Sequence, residues 1–315
     1  MTKRIIVNTV GLWLTGLVVV AGDPMQSWGQ TTLWNTYQAV AIHLLQTGRP
    51  AEAEPYLDAA LREAEQSDPQ NPQIAATLNA LGMVYATTGR LEEAQSTLQR
   101  SLDIRVKAYG PEHPEVAVSL ESLALLHSQK GAFKEATMFG NRALQLKQAA
   151  LGPTHPEVGM SLITLANIHM AQGNYQEAET HFRQGLSTFE QTLGPSHPVL
   201  AEALNNLAVL YSLEGDNLRA EPLFIRALAL AQHTLGPQHP RVASILTNYA
   251  QFLKESQRDS EAFVLERAAE DIAARQNSHP PAPAQTTDPP TDPSRASNMN
   301  LQAGHPTWDG NVMIR

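Results

Sequence analysis

Around position 210 the apolar residues fall at Leu204, Leu207, Ala208 and Tyr211, three or four apart. That spacing puts them on one face of a helix. Gly215 predicts where the helix stops, because glycine takes the left-handed conformation common just past a helix end. Asp216 predicts the cap of a second helix, whose apolar face is Ala220, Leu223, Phe224 and Ala227. The pattern is that of two antiparallel helices joined by a tight turn.

The hairpin recurs. Gly-Pro-x-His-Pro begins at Gly110, Gly152, Gly194 and Gly236, an interval of 42 residues each time. A weaker copy starts at Asp68 and an incomplete one at Trp34. A fixed interval of this size marks a stack of like units. Small residues keep the same register. Gly82, Ala124, Ala166, Ala208 and Ala250 share one site on the first helix, and Ala53, Ala94, Ala136, Ala178, Ala220 and Ala262 share one on the second. Helices approach to about 8–10 Å only where side chains are small.

The order Leu-x-x-Leu-Ala-x-x-Tyr, Gly, Ala, Phe, Ala resembles the tetratricopeptide repeat. The 42-residue interval, with "GPxHP" and "LNNLAVLYSLEGD", is similar to the kinesin light chain subclass of that repeat. The resemblance runs from Trp34 to Gln276. It implies an all-α, right-handed superhelical solenoid of about six helix-turn-helix repeats, with units near 34–67, 75–108, 117–150, 159–192, 201–234 and 243–276. Some units depart from the pattern. Gly140 and Gly185 stand where Phe and Ala are usual, which predicts looser second helices, and Pro55 and Pro222 predict kinks. Gln257 replaces the turn glycine of the last unit and Glu266 its aromatic. The polar run "ERAAEDIAARQ" suits a terminal helix that faces water.

The four recurring histidines pose a chemical question. His113, His155, His197 and His239 could be zinc ligands by residue type. However, repeats advance by about 10 Å per unit, far beyond a metal–nitrogen bond of about 2 Å. Each lies just before a proline suited to a first helical turn. Helix capping or loop packing is therefore the expectation, with Asn71 in the equivalent place of the earlier copy. His127 and His169 replace the usual first-helix tyrosine, and are expected to be packed and hydrogen-bonded in the core.

No phosphate loop, H-E-x-x-H or G-x-S-x-G is present. Glu92 and Glu93 are adjacent on a helix and point apart, as a solvated face does. The chain has no cysteine, so disulfides and thiolate chemistry are excluded. A net charge of −9 argues against nucleic acid. The sequence thus predicts no enzyme, no cofactor and no metal, but a protein or peptide partner.

In tetratricopeptide arrays the second, fifth, sixth, ninth and twelfth positions of the first helix line the concave side. By resemblance, the peptide-binding groove here comprises Asn79 and Met83, Glu121, Asn167, Glu202, Asn205, Asn206 and Val209, then Asn248 and Gln251. Asparagine carries donors and an acceptor, so a row of them can hold an extended peptide backbone whatever its sequence. Alternatively they bridge neighbouring helices. Kinesin light chain grooves carry basic residues, whereas here Lys254 is nearly the only groove cation, and the third unit has Glu121-Ser122 in place of asparagines. A strongly acidic partner is not expected. The implied function is a non-enzymatic adaptor; the alternative is a structural subunit of a cell-envelope assembly that uses the outer helices.

The ends differ from the array. Lys3 and Arg4 precede an apolar run from Ile5 to Ala21, the order of a secretory signal cut after Ala21. This predicts an exported protein, periplasmic or extracellular. The alternative is an inner-membrane anchor formed by residues 5–21, and beyond that no membrane binding is expected. From Asn277 the chain is rich in proline and poor in aliphatic residues, a composition that predicts disorder over 277–315. Trp308-Asp309 is the one place where that tail could fold back into the groove.

Overall fold

The computed structural model describes residues 33–67 and 71–278. These residues form helices paired in sequence order: α1 Leu33–Gln46 with α2 Pro50–Ser67, α3 Gln73–Thr87 with α4 Leu91–Tyr109, and α5 Pro114–Gln129 with α6 Phe133–Leu151. The C-terminal pairs are α7 Pro156–Gln172 with α8 Tyr175–Leu193, α9 Val199–Glu214 with α10 Asn217–Leu235, and α11 Pro240–Glu255 with α12 Asp259–Ser278. No strand occurs among the described residues. The last helix includes Asn277 and Ser278. The signal-like segment and the rest of the proline-rich tail lie outside the described residues.

Within each pair the two helices pack along their length, and each second helix packs on the first helix of the next pair. First helices also touch one another across pairs, α3 with α5 and so on to α9 with α11. The result is an all-α solenoid. First helices are consequently buried on more than one side: in α7 the run from Val158 to Ile168 is buried throughout. Second helices bury a single stripe, such as Ala220, Phe224, Ala227 and Ala231 of α10. Phe182, Phe189 and Phe224 are the largest sealed side chains, each contributing about 1.5–3 kcal/mol through burial.

The small-residue sites do what the sequence predicts. The alanines of both series are completely buried. A methyl added at Gly82 would stand 2.5 Å from Leu98 Cγ. The glycine expectation needs correction, because Gly140 and Gly185 are close-contact points and do not loosen their helices. A Cβ at Gly140 would lie 2.8 Å from Leu165 Cδ2, and one at Gly185 would lie 2.7 Å from Ile163 Cδ1 and 3.0 Å from the Gly159 carbonyl oxygen. The missing side chain lets the neighbouring first helix come closer. Pro55 and Pro222 each sit inside an uninterrupted helix, near its N-terminal end. Neither breaks it.

The turns keep their form even where the residue changes. Gly215 closes α9 at φ 79°, ψ 12°, and Gln257 takes the same left-handed region at φ 61°. Gly194, at φ 83° and ψ 162°, occupies a region essentially restricted to glycine. The terminal α12 is not wholly polar outside. Phe263 and Val264 are exposed on it.

Candidate functional site

The recurring histidines are caps. Nδ1 of His113, His155 and His239 accepts a hydrogen bond from the backbone N–H two residues on, at 3.2, 3.2 and 3.1 Å. His197 does the same for Val199 at 3.3 Å, and Asn71 Oδ1 for Gln73 at 2.9 Å. With Nδ1 accepting, a neutral ring carries its proton on Nε2. Asp216 likewise caps α10, its Oδ1 accepting from the Arg219 backbone N–H at 3.0 Å. Each cap satisfies one of the orphan donors of a helix start.

His127 and His169 are core residues, but the hydrogen bonding expected of them is incomplete. His127 packs on Phe139 and His169 stacks on His181, each pair with ring centroids 5.3 Å apart. Nδ1 of all three histidines is buried and has no hydrogen-bond partner among the described residues. Burial holds the three rings below the ordinary imidazole pKa. They are apolar packing pieces that keep a titratable atom.

On the inner face the ten predicted groove residues divide. Asn79 and Met83 of α3 are buried, with Asn79 Nδ2 3.6 Å from the Met83 sulfur. Glu121 of α5 accepts from Lys147 Nζ at 2.8 Å and from the Ser161 hydroxyl. Val209 is half-buried against the core, and Gln251 is exposed, donating to Glu255 at 3.1 Å. None of these five joins the others.

Asn167, Asn205, Asn206 and Asn248 do come together, as a relay across three first helices. Asn248 Nδ2 donates to Asn205 Oδ1 at 3.3 Å, Asn205 to Asn206 Oδ1 at 3.2 Å, and Asn206 to Asn167 Oδ1 at 3.2 Å. Asn167 ends the chain on the Ile163 carbonyl at 2.9 Å. Asn167, Asn205 and Asn206 are buried, while Asn248 is half-buried. The asparagines therefore bridge helices α7, α9 and α11. Each side-chain amide still holds one N–H beyond the bond it donates within the relay.

Beside this relay the inner face opens into a cavity of about 30 Å³, bordered by Glu202, Asn205, Asn206, Arg241, Ile245 and Asn248. It can hold about two waters. Glu202 Oε2 is sealed from solvent without a hydrogen-bond partner, and Arg241 Nε stands 4.0 Å away. Burial pushes the Glu202 carboxyl above its ordinary pKa, and Arg241 offsets part of that rise. Arg241 was not among the predicted groove residues. It follows His239-Pro240 directly and reads in sequence as part of the repeat's punctuation. Lys254, the expected groove cation, instead pairs with Glu266 of α12 at 2.5 Å. Two further cations are buried between units. Arg105 bonds Ser101 and Ser119 at 2.7 and 2.5 Å, and Lys147 pairs with Glu121.

Helical hairpins in one register, with alanine at their crossings and first helices on the inner side, define an α-solenoid scaffold. The chain belongs to the tetratricopeptide repeat family, whose model matches residues 31–105, 73–149, 157–224 and 200–275. Among solved structures it is similar to BtubC (BKLC) from P. vanneervenii, with 22% identity over 84% of this chain and 99% of that one, at a TM-score of 0.55. It is also similar to a P. anserina kinesin light chain protein with nearly identical TPR-like repeats, with 25% identity over 65% of this chain and 97% of that one, at 0.52. A Rap protein in complex with competence and sporulation factor shares the fold, with 15% identity over 79% of this chain and 78% of that one, at 0.59. No curated protein sequence matches the chain. Tetratricopeptide arrays are scaffolds for protein–protein interaction, generally without enzymatic activity.

Proposed function

We propose that the protein is an adaptor whose inner face holds an extended segment of a protein partner. The observation that carries this reading is the amide relay of Asn167, Asn206, Asn205 and Asn248, the last three of which border the cavity on the inner face. Main-chain carbonyls of an extended segment suit side-chain amide donors, irrespective of sequence. The test is selection of peptides from a random display library on the full chain, followed by fluorescence anisotropy on a folded Asn248→Ala/Gln251→Ala variant. Both residues reach solvent, so folding should survive. Binding is expected to weaken about tenfold, as for one lost hydrogen bond. Unchanged affinity would refute the groove.

A second reading has its own observation. Leu218 is 91% exposed and Phe263 62%, on the outer helices α10 and α12. Large apolar side chains this open suit assembly through the convex side. Loss of partner capture by Leu218→Ser/Phe263→Ser, with the groove variant unaffected, would favour it.

On the basis of the Lys3-Arg4 start and the apolar run through Ala21, we also propose that the protein is exported. A mature N-terminus at Gly22 would bear this out, whereas an intact chain in the membrane fraction would indicate the anchor instead.

A further inference from the structure

Glu202 and Arg241 border one cavity and, though they face each other at 4.0 Å, hydrogen-bond neither each other nor a third group among the described residues. Neither carboxylate oxygen of Glu202 takes part in a hydrogen bond among the described residues, and Oε2 is sealed from solvent. The Arg241 guanidinium makes no hydrogen bond there either; its nearest charged neighbour is Glu202, at 4.0 Å. Hydrogen-bond distances end well short of 4.0 Å. A buried acceptor without a donor and a fork of donors without an acceptor therefore stand side by side.

The group that completes such a pair must carry both a donor and an acceptor. Charge narrows the choice. A carboxylate would suit Arg241 and be repelled by Glu202, and an ammonium would suit Glu202 and be repelled by Arg241. A neutral amide meets both, its N–H toward Glu202 Oε1, the carboxylate oxygen that is not sealed, and its C=O toward Arg241. Asn248, whose Oδ1 accepts no hydrogen bond among the described residues, adds a further acceptor at the rim. The cavity is a recess bounded by the apolar Leu235 and Ile245. Its volume of about 30 Å³ fits the tip of a side chain better than a backbone running through.

We propose that this recess is a specificity pocket for a primary carboxamide, the side chain of a glutamine or asparagine in the segment that the groove holds. The proposal rests on the groove reading above and adds to it one selected residue type. A site with unpaired polar groups on both sides rejects a ligand that cannot pair them, because the groups then stay buried and unsatisfied.

The test titrates the 15N-labelled full chain with N-acetylglutamine N-methylamide, and separately with the glutamate and lysine counterparts. The glutamine derivative alone is expected to shift the Arg241 Nε–H and Asn248 Nδ2 signals saturably. Glu202→Met and Arg241→Met should each weaken it about tenfold, one hydrogen bond apiece. If either variant misfolds, the comparison of the three derivatives on the wild-type chain still decides. Equal or stronger shifts from the glutamate or lysine derivative would overturn the proposal. So would the absence of any shift, which would make the recess a water cavity only. Display-selected peptides separate this from the groove reading. Binders that depend on Asn248 and Gln251 but lack enrichment in glutamine or asparagine would sink the pocket and spare the groove.

Discussion

Truncating Asn206 to alanine tests whether the amide relay is structural. Asn206 donates to Asn167 and accepts from Asn205, both at 3.2 Å, and all three residues are buried. The truncation removes two hydrogen bonds worth about 1 kcal/mol each. It also leaves Asn167 Oδ1 and an Asn205 N–H without partners, adding about 1–2 kcal/mol of desolvation penalty unless water enters from the cavity. The expected loss is about 2–4 kcal/mol. Asn248→Ala, which removes one 3.3 Å bond from a half-buried residue, should cost only about 0.5–1 kcal/mol. Urea unfolding followed by circular dichroism measures both on the same transition. A double-mutant cycle of Asn167→Ala with Asn206→Ala isolates the pair and should give a coupling of about 1 kcal/mol. A cost below about 0.5 kcal/mol with no coupling would refute the bridging role and leave Asn206 free for a ligand. This is why the binding test above spares Asn206.

The other expectations concern packing and pH. Gly185→Ala should destabilise by about 1–2 kcal/mol, because its methyl meets the Gly159 carbonyl oxygen at 3.0 Å and overpacking outweighs the gain in helix propensity. Gly140→Ala meets only side-chain atoms, Leu165 Cδ2 at 2.8 Å with Leu165 Cγ and Ile168 Cδ1 at 3.4 and 3.5 Å, and should change stability by less than about 1 kcal/mol; equal effects in urea melts would refute the distinction. His127, His169 and His181 are held neutral by burial, with Glu135 and Lys130 also acting on the first, Glu177 on the second, and His169 and then Glu177 on the third. Since the unfolded chain binds protons more readily, their contribution is full above about pH 6.5 and falls as pH drops toward their depressed values. Glu202, raised in the fold, works the other way. His169→Tyr should therefore flatten the fall in stability between about pH 7.5 and 5.5, and an unchanged slope would count against the histidines.

The scaffold was legible in the sequence because its determinants are local and periodic. Alanine at Ala220 or Ala208 signals a close crossing, and histidine before proline signals a helix start, wherever either occurs. Gly140 and Gly185 were misread for an instructive reason. Glycine lowers helix propensity in isolation, but at these two positions the approach of Leu165 and Ile163 decides, and that approach belongs to the neighbouring helix. The asparagines were found by position, yet which partner each one takes depends on the offset between units. Arg241 was hidden because its importance lies in facing Glu202, 39 residues earlier, across a seam that no local pattern reports. The unpartnered histidine nitrogens were hidden likewise, since residue type gives burial more readily than hydrogen-bond geometry.

The same register shows how the seam beside the recess differs from the others. Arg105, Lys147, Phe189 and Ala231 are spaced 42 residues apart near the C-terminal ends of second helices, and all are buried. Arg105 reaches Ser119 and Glu115 of the next unit, and Lys147 reaches Glu121 of its own unit and Glu157 of the next. Phe189 fills the position with a ring against Gly159. In the last seam the counterparts of Glu121, Glu157 and Ser161 are Asn205, Arg241 and Ile245, which border the cavity. There a methyl group replaces a long side chain; Ala231 itself is sealed in the core, and Leu235, one turn further on, is the residue of that helix that borders the recess. Ala231→Met and Ala220→Met each enlarge a fully buried position and should each cost about 1–3 kcal/mol. Leu235→Phe, a larger side chain on the recess wall, should take up part of the space at a cost of about 1 kcal/mol or less. Leu235→Phe should also weaken the glutamine-derivative shifts at Arg241 while leaving Glu202 and Arg241 in place. Retention of the full shifts in a folded Leu235→Phe chain would show that the derivative does not enter the recess.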